Sequence, residues 1–266
     1  MPIRRATAGV LILAVVACGP TRVNLPAGPG APLPGYADLL QRATAECRGV
    51  RSLTAELRLS GRAGRQNVRG RVLAGVSAPA SLRLEGVAPF GSPVFILAAD
   101  GGQATLLLPR DNRVLRGEPP EAVLDALVGV TIAPADFLAV LSGCLRASAQ
   151  PTGGRDYGRA AAVDLSDGTL WLMKRADTWR LWAGTWNGLT IDYAGDSGPR
   201  PAQVHIRTEP GGGAGDTDIV LRLSQIETDV TLGPEAFTVD VPADAQPIGI
   251  DELRQNGPLG GRDHQS

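Results

Sequence analysis

Residues 52–61 read Ser-Leu-Thr-Ala-Glu-Leu-Arg-Leu-Ser-Gly, and apolar side chains alternate there with polar ones. A period of two is typical of a β-strand with one dry face and one wet face. The same alternation returns at 68–74 and 81–86, and the stretches in between, 61–66 and 75–80, carry glycine or proline. The pattern therefore predicts antiparallel strands joined by hairpin turns.

Helices are predicted before this sheet and at two places within it. Apolar residues recur at three- and four-residue steps over Tyr36–Arg48, which predicts one amphipathic helix. Pro119 and Pro120 open a second predicted helix at Glu121–Val128, and Pro134 opens a third. Further strands are predicted at 93–100, 103–108, 112–117, 158–165, 169–175, 178–184, 188–194, 202–209, 217–224 and 227–232.

A sheet with this many hairpin-connected strands tends to curl. We therefore expect a mainly β fold with a few helices (α+β): a curled antiparallel sheet, or unclosed β-barrel, of about 11 strands, with the helices as plug or lid. The inward positions are aliphatic, so an incompletely filled interior is one interpretation and a solid core is the other. The candidate cavity-lining residues are Leu57, Leu59, Val72, Leu82, Leu84, Ile206, Leu221 and Leu223.

Composition excludes several function classes. The 26 basic and 27 acidic side chains give a net charge of −1, which provides no field for nucleic-acid binding. Two histidines and three cysteines leave little material for a metal site, and no catalytic motif is present. His205 lies on the polar face of a predicted strand, where we expect it to be exposed. We therefore expect no catalytic residue, metal or cofactor, and a protein that is not an enzyme.

The N-terminus has the layout of an export signal. Arg4 and Arg5 precede the apolar run 8–17, which is too short to span a bilayer because spanning takes about 20 residues. The run ends in Val-Val-Ala before Cys18, which resembles the lipobox of bacterial lipoproteins; this implies lipidation of Cys18 and anchoring in membrane lipid. An ordinary signal peptide that contains a cysteine is the alternative. By resemblance to sorted lipoproteins, Gly19 rather than Asp after the cysteine argues against retention in the inner membrane, so we expect an anchor in the outer membrane, facing the periplasm.

Four segments follow from these patterns. Residues 1–17 are the predicted signal peptide, and residues 18–35 are the lipidated cysteine and a tether rich in proline and glycine, which we expect to form neither helix nor sheet ladder. Residues 36–250 form the β domain. The polar and glycine-rich residues 251–266 are expected to be a flexible tail.

The remaining cysteines and the tryptophans each allow two interpretations. Cys47 and Cys144 lie on apolar helix faces, and in an exported protein they favour a disulfide over two free thiols. Four tryptophans crowd one hairpin region and form either a binding surface, as an aromatic clamp for a ligand or an interfacial belt, or ordinary cross-strand packing, and packing is the more common outcome. They are Trp171, Trp179, Trp182 and Trp186.

Over residues 36–250 the order of features resembles the LolA/LolB family of lipoprotein-localisation proteins, in particular its LolB-type outer-membrane members. A helix precedes the strand at 52–61, and the hairpin Ala88-Pro89-Phe90-Gly91-Ser92 is similar to the Pro-Leu-Gly-Ser hairpin of LolB-type members. The C-terminal pattern is similar to the closing pattern of lipoprotein carriers at Val230, Leu232, Phe237, Pro242 and Ile248.

The resemblance implies a hydrophobic cavity that accepts acyl chains of client lipoproteins or other lipids, and a periplasmic carrier protein as a possible partner. It also implies that Phe90 is a protruding residue of a membrane-transfer loop; folding back as a core lid is the alternative. An envelope scaffold lipoprotein with a solid β core and no lipid ligand is the second functional hypothesis.

Overall fold

The computed structural model describes residues 23–64, 66–146, 148–195, 200–208 and 217–259. The predicted signal peptide, Cys18 and the end of the predicted tail, 260–266, lie outside these residues. In chain order the strands are β1 (Ala31–Pro32), β2 (Ser52–Ala63), β3 (Gln66–Ser77), β4 (Ser81–Gly86), β5 (Ile96–Asp100), β6 (Gln103–Leu108), β7 (Arg113–Glu118), β8 (Pro151–Asp156), β9 (Ala160–Leu165), β10 (Gly168–Arg175), β11 (Thr178–Trp186), β12 (Leu189–Ala194), β13 (Gln203–Thr208), β14 (Thr217–Thr228) and β15 (Gln246–Pro247). The helices are α1 (Tyr36–Ala43), α2 (Ala45–Arg48), α3 (Pro120–Val128), α4 (Pro134–Ser142) and α5 (Ile250–Asn256), with a 3-10 helix at Pro234–Phe237.

All fifteen described strands belong to one curled sheet, in the order β1-β8-β9-β10-β11-β12-β13-β14-β2-β3-β4-β5-β6-β7-β15. Sequence neighbours pair with one another in two runs, and these runs join where β14 pairs with β2. Every pairing is antiparallel except that of β15 with β7. Because β1 and β15 lie at opposite edges, the sheet is unclosed, and the expectation of a mainly β, curled and open architecture is confirmed.

The expected number of about 11 strands is wrong, because the described residues contain fifteen. The strand β8 has the sequence Pro-Thr-Gly-Gly-Arg-Asp, which shows no alternation. The two predicted strands at 217–224 and 227–232 are one strand, β14, with a bulge between Ser224 and Glu227. Gln225 has a φ of 52° at this bulge, which explains why the apolar period shifts there.

Each edge of the described sheet ends in a two-residue strand that contains proline. Pro32 pairs with Arg155 at one edge, and Pro247 pairs parallel with Val114 at the other. Edge strands tolerate proline because its missing N–H need not serve a ladder. The expectation that the proline-rich residues 18–35 form no ladder is therefore wrong for Ala31–Pro32.

Proline and glycine set the bounds of α3 and α4. Each helix has proline in its first turn, where a missing N–H costs no hydrogen bond. Gly129 and Gly143 follow the last turns with φ of 68° and 77°, a left-handed conformation that favours glycine. The single helix predicted over Tyr36–Arg48 is two helices, because Thr44 leaves the helical conformation and its hydroxyl donates to the Leu40 carbonyl at 2.7 Å.

The core lies between the concave face of the sheet and the helices. Along β2, Leu53, Ala55, Leu57 and Leu59 are buried, and the intervening side chains are more exposed. Side chains of α3 and α4, among them Leu124 and Leu141, belong to the same buried cluster. The alternation read from the sequence therefore separates a concave face that packs against helices from a convex face.

The C-terminal segment is folded as far as Leu259, so the expectation of a flexible tail over 251–266 is wrong for 251–259. Residues 250–256 form α5, which packs on α3, and Leu253 is fully buried. Arg113 on β7 forms a bidentate ion pair with Glu252. Buried Leu253 and the ion pairs Arg113–Glu252 and Arg254–Asp125 hold this segment on the core, and no apolar period signals it in the sequence.

Among the described residues, no helix has the length and apolar character needed to span a membrane.

Candidate functional site

The candidate site is an apolar cavity between the concave face of the sheet and the helices that cover it. Strands β2, β3, β4, β13 and β14 form its floor, and α3, α4 and the residues between them form its roof. All fifteen lining side chains are hydrocarbon: Leu57, Leu59, Val72, Leu84, Phe95, Leu124, Leu127, Val128, Val130, Ile132, Phe137, Ile206, Ile219, Leu221 and Leu259. A wall without polar groups favours a ligand without polar groups at this position.

Six of the eight residues predicted to line a cavity lie on its wall: Leu57, Leu59, Val72, Leu84, Ile206 and Leu221. Leu82 and Leu223 do not line it, although both are buried in the same core. Leu82 lies beside the β3–β4 turn, and Leu223 follows Leu221 on β14 and pairs with Leu57. The two-residue alternation of apolar side chains identifies the inward face of a strand, but it does not show which part of that face the helices cover.

The sequence predicts the helices as a plug or lid over the sheet, but none of the roof residues is among the predicted lining residues. Leu124, Leu127 and Phe137 lie on the apolar faces of α3 and α4, and these faces are visible in the sequence. Extending the predicted lining from the strands to these helix faces finds the three residues. Leu259 lies in a polar, glycine-rich segment that gives no signal. Its carbonyl accepts a hydrogen bond from the Arg69 N–H at 3.4 Å, and Gly70 leaves the space that its side chain occupies.

Two links hold the roof to the rest of the fold. The structure joins Cys144, just after α4, to Cys47 in α2 by a disulfide, with 5.5 Å between the Cα atoms. The Thr217 hydroxyl at the start of β14 donates to the Gly129 carbonyl after α3 at 3.1 Å. The far end of α4 is thus covalently tied, whereas α3 is held by non-covalent contacts: its apolar side chains pack in the core and against β6 and α5, and its Asp125 forms an ion pair with Arg254 of α5.

The cavity has a volume of about 50 Å³ in this conformation. Pockets for small molecules enclose about 300–1,000 Å³, so this space is too small for an acyl chain. A hydrocarbon tail can enter only if part of the roof moves away from the sheet. Since α4 is tied by the disulfide, α3 and the C-terminal segment are the elements that can move with least disruption.

Phe90 lies in the turn between β4 and β5, and its side chain is 90% exposed. The Arg110 guanidinium donates to its backbone carbonyl at 3.3 Å and holds the loop beside the β6–β7 turn. The alternative in which Phe90 folds back as a core lid is therefore wrong. An exposed aromatic ring at a loop tip is suited to contact with lipid or with an apolar protein surface.

His205 was expected to be exposed, but it is 2% exposed and lies between two carboxylates on the convex face. Its Nε2 is 2.6 Å from Asp218 Oδ1, and its Nδ1 is 3.9 Å from Asp192 Oδ2. Arg207 also pairs with Asp192. Burial raises the pKa of Asp192, and Arg207 and His205 oppose that effect. Because substrate cannot reach a side chain this deeply buried, the cluster has the character of a structural ion network.

The tryptophans are distributed between two packing clusters and form no clamp. Trp179 and Trp186 pack against the main core. Trp171 is buried on the convex face with Ala162 and Ala183, and Trp182 packs against the same group. Within the described part of the chain, no group of three or more His, Cys, Asp or Glu side chains is arranged to hold a metal ion.

Comparison with known proteins gives a likeness of fold. No family model and no curated protein matches the chain. A LolA superfamily protein from Nitrosomonas europaea superposes with a TM-score of 0.51 at 13% identity, covering 76% of this chain and 96% of its own. A DUF1329 family protein from Desulfovibrio piger has a TM-score of 0.47 at 12% identity, covering 78% and 98%. A putative outer membrane lipoprotein-sorting protein domain from Vibrio parahaemolyticus has 0.46 at 13%, covering 76% and 95%. The first of these shows that the chain has the LolA-type fold.

Proposed function

We propose that this chain is a lipid-anchored, non-enzymatic binding protein of the bacterial envelope whose apolar cavity accepts acyl chains. The observation that carries the proposal is the cavity wall, which consists of hydrocarbon side chains alone and lies beneath a roof held largely by packing. The LolA-type fold supports it, because the superposed protein from Nitrosomonas europaea belongs to the LolA superfamily. The specific role is reception of client lipoproteins at the outer membrane, with Cys18 as the anchor and a periplasmic carrier as donor.

Binding requires the roof to open, and the energetics permit this. Each buried methylene of a ligand contributes about 0.8 kcal/mol, so an acyl chain of ordinary length can offset the loss of the contacts between α3 and the sheet. The polar end of the client stays outside, because the wall has no group to bind it. This arrangement selects for a hydrocarbon tail and places little demand on its length or shape.

The alternative is an envelope scaffold with a solid core, and the cavity volume of about 50 Å³ is the observation that favours it. Native mass spectrometry separates the two proposals. The chain from Gly19 onward, which retains every described residue, is incubated with a fatty acid and transferred to the gas phase. A bound fatty acid at one copy per chain is expected; a chain that stays empty at saturating fatty acid supports the scaffold and overturns the lipid-binding proposal.

Phe90 supplies a second test, on transfer to membranes. Phe90→Glu should reduce the transfer of a bound acylated client to vesicles, because a carboxylate is costly to place in lipid. The thermal midpoint should not change, since the side chain it replaces is exposed. Phe90→Trp is the matched control and should keep transfer, because tryptophan is favourable at the lipid interface. Equal transfer by both variants would show that Phe90 has no part in the membrane step.

A further inference from the structure

A second concave surface, which we call the cationic groove, lies at the rim of the sheet where β10 turns into β11. It has a volume of about 790 Å³ and is open to solvent. Five basic side chains line it: Arg159, Lys174, Arg175, Arg180 and Arg200. It shares no lining residue with the apolar cavity.

Acidic groups only partly balance this charge. Among the described residues of the wall, Glu46 is the one acidic residue; its carboxylate is 4.0 Å from Arg180, and its backbone carbonyl accepts a hydrogen bond from Arg200 at 3.3 Å. Asp177 lies in the adjacent turn. The described part of the wall thus carries five basic side chains and one acidic side chain, in a chain whose net charge is −1. The groove is therefore a local concentration of positive charge.

The groove also has the apolar groups of a lipid interface. Trp182 and Met173 line it together with the basic residues. Tryptophan is enriched where a protein meets the headgroup layer, because its ring is apolar and its N–H can bond to water or lipid. Arginine binds phosphate through two parallel N–H donors. A wide, open groove with both kinds of side chain suits a layer of phospholipid headgroups better than one enclosed ligand.

The N-terminal segment reaches the sheet at the same rim. The Tyr157 hydroxyl donates to the Gly28 carbonyl at 2.9 Å in the β8–β9 turn, and Arg159 of that turn lines the groove. Val23 packs against the same convex-face cluster as Trp182. Cys18 precedes Val23 by five residues, which span at most about 18 Å when fully extended. An anchor at Cys18 therefore keeps this side of the domain within reach of the membrane.

We propose that the cationic groove binds the phosphate groups of anionic phospholipids in the membrane that holds the chain, and so fixes the orientation of the domain on it. The proposal rests on the anchoring part of the proposed function. Phe90 lies in the β4–β5 turn, at the opposite end of the strands from the β10–β11 turn. The proposal therefore includes a change of orientation between the groove-bound state and the state in which Phe90 inserts.

The test is co-sedimentation of the chain from Gly19 onward with vesicles of phosphatidylcholine alone and of phosphatidylcholine with phosphatidylglycerol in equal amounts. Each basic residue near an anionic surface contributes about five-fold to binding. The double variant Arg159→Glu/Lys174→Glu should therefore lose at least about 25-fold in binding to the anionic vesicles. The matched control Arg69→Glu/Arg116→Glu makes the same change in net charge at exposed positions on β3 and β7 and should retain binding.

Binding should also fall when the ionic strength rises from about 0.01 M to about 0.15 M, because the screening length shortens from about 30 Å to about 8 Å. Equal binding to both kinds of vesicle, or equal losses in the two double variants, would overturn the proposal. Displacement by inorganic phosphate at constant ionic strength would also overturn it, because the groove would then be a small-anion site.

Fatty-acid binding by the same samples keeps this result separate from the proposed function. Retained fatty-acid binding in the groove variant, with loss of anionic vesicle binding, supports the groove as a distinct site. A chain that takes fatty acid but shows no preference for anionic vesicles overturns the groove alone. A chain that prefers anionic vesicles through the groove but takes no fatty acid overturns the cavity alone.

Discussion

Leu259 fills part of the apolar cavity, so the proposed acyl-chain binding predicts that shortening it both destabilises the fold and increases affinity for fatty acid. Its side chain is 7% exposed, lines the cavity and sits over Gly70. Leu259→Ala removes about three methylene equivalents, which at about 0.8 kcal/mol each corresponds to about 2.4 kcal/mol. The free energy of unfolding should fall by about that amount, at the lower end of the usual range of about 2–5 kcal/mol for buried leucines.

The same free energy sets the gain in affinity. If an acyl chain fills the volume that Leu259 leaves, the ligand recovers at most about 2.4 kcal/mol, which corresponds to about 60-fold in the dissociation constant. Titration calorimetry with a fatty acid measures this change, and urea unfolding measures the stability. Leu73→Ala is the matched control, because Leu73 is 47% exposed and lies outside the cavity wall. Unchanged or weaker fatty-acid binding by a folded Leu259→Ala chain would refute the idea that Leu259 competes with the ligand.

Two further predictions concern the roof of the cavity. The disulfide between Cys47 and Cys144 closes a loop with a sequence separation of 97. Replacing both cysteines with serine should lower the free energy of unfolding by about 4.7 kcal/mol, the chain-entropy value for a loop of about 100 residues. Urea unfolding of the double variant measures this change, and an unchanged midpoint would contradict it. Burial raises the pKa of the Asp136 carboxyl on α4, so the folded chain keeps this carboxyl protonated to higher pH than the unfolded chain does. The free energy of unfolding therefore decreases as pH rises from the unfolded pKa to the folded pKa of Asp136. Asp136→Asn should remove that decrease in unfolding curves measured from acid to neutral pH, and an unaltered pH slope would count against it.

Sequence reasoning succeeded where a local pattern determines structure. The alternation in β2 and β3 identified the inward face, and proline at the start of α3 and α4 identified both helices, because these signals act within a few residues. All eight candidate lining residues follow from the strand pattern, and six of them lie on the cavity wall. Their grouping around one space depends on where the helices lie over the sheet, which strand periodicity does not contain.

The failures involve structure held by contacts between distant residues. The strand β8 has no alternation and forms because β9 and β1 pair with it on both sides. The helix α5 is polar on most of its surface and is held by Leu253 and by the pair between Glu252 and Arg113, which is 139 residues away in the sequence. His205 occupies a polar position in the strand pattern and is buried because carboxylates from β12 and β14 flank it. The apolar period around these residues does not reveal such partners, whether they lie 13 residues away, as Asp218 does from His205, or 139 residues away, as Arg113 does from Glu252.

The two proline-bearing strands at the margins of the sheet restrict how other polypeptides can be recognised. A flexible segment of a client or carrier would normally extend a sheet by adding its own strand to an unpaired row of amides and carbonyls. Here the outermost strands, Ala31–Pro32 and Gln246–Pro247, are only two residues long, and one of the two residues has no amide hydrogen to offer. Strand addition at these two outermost strands is therefore disfavoured, both for a segment of another polypeptide and for a second copy of this chain.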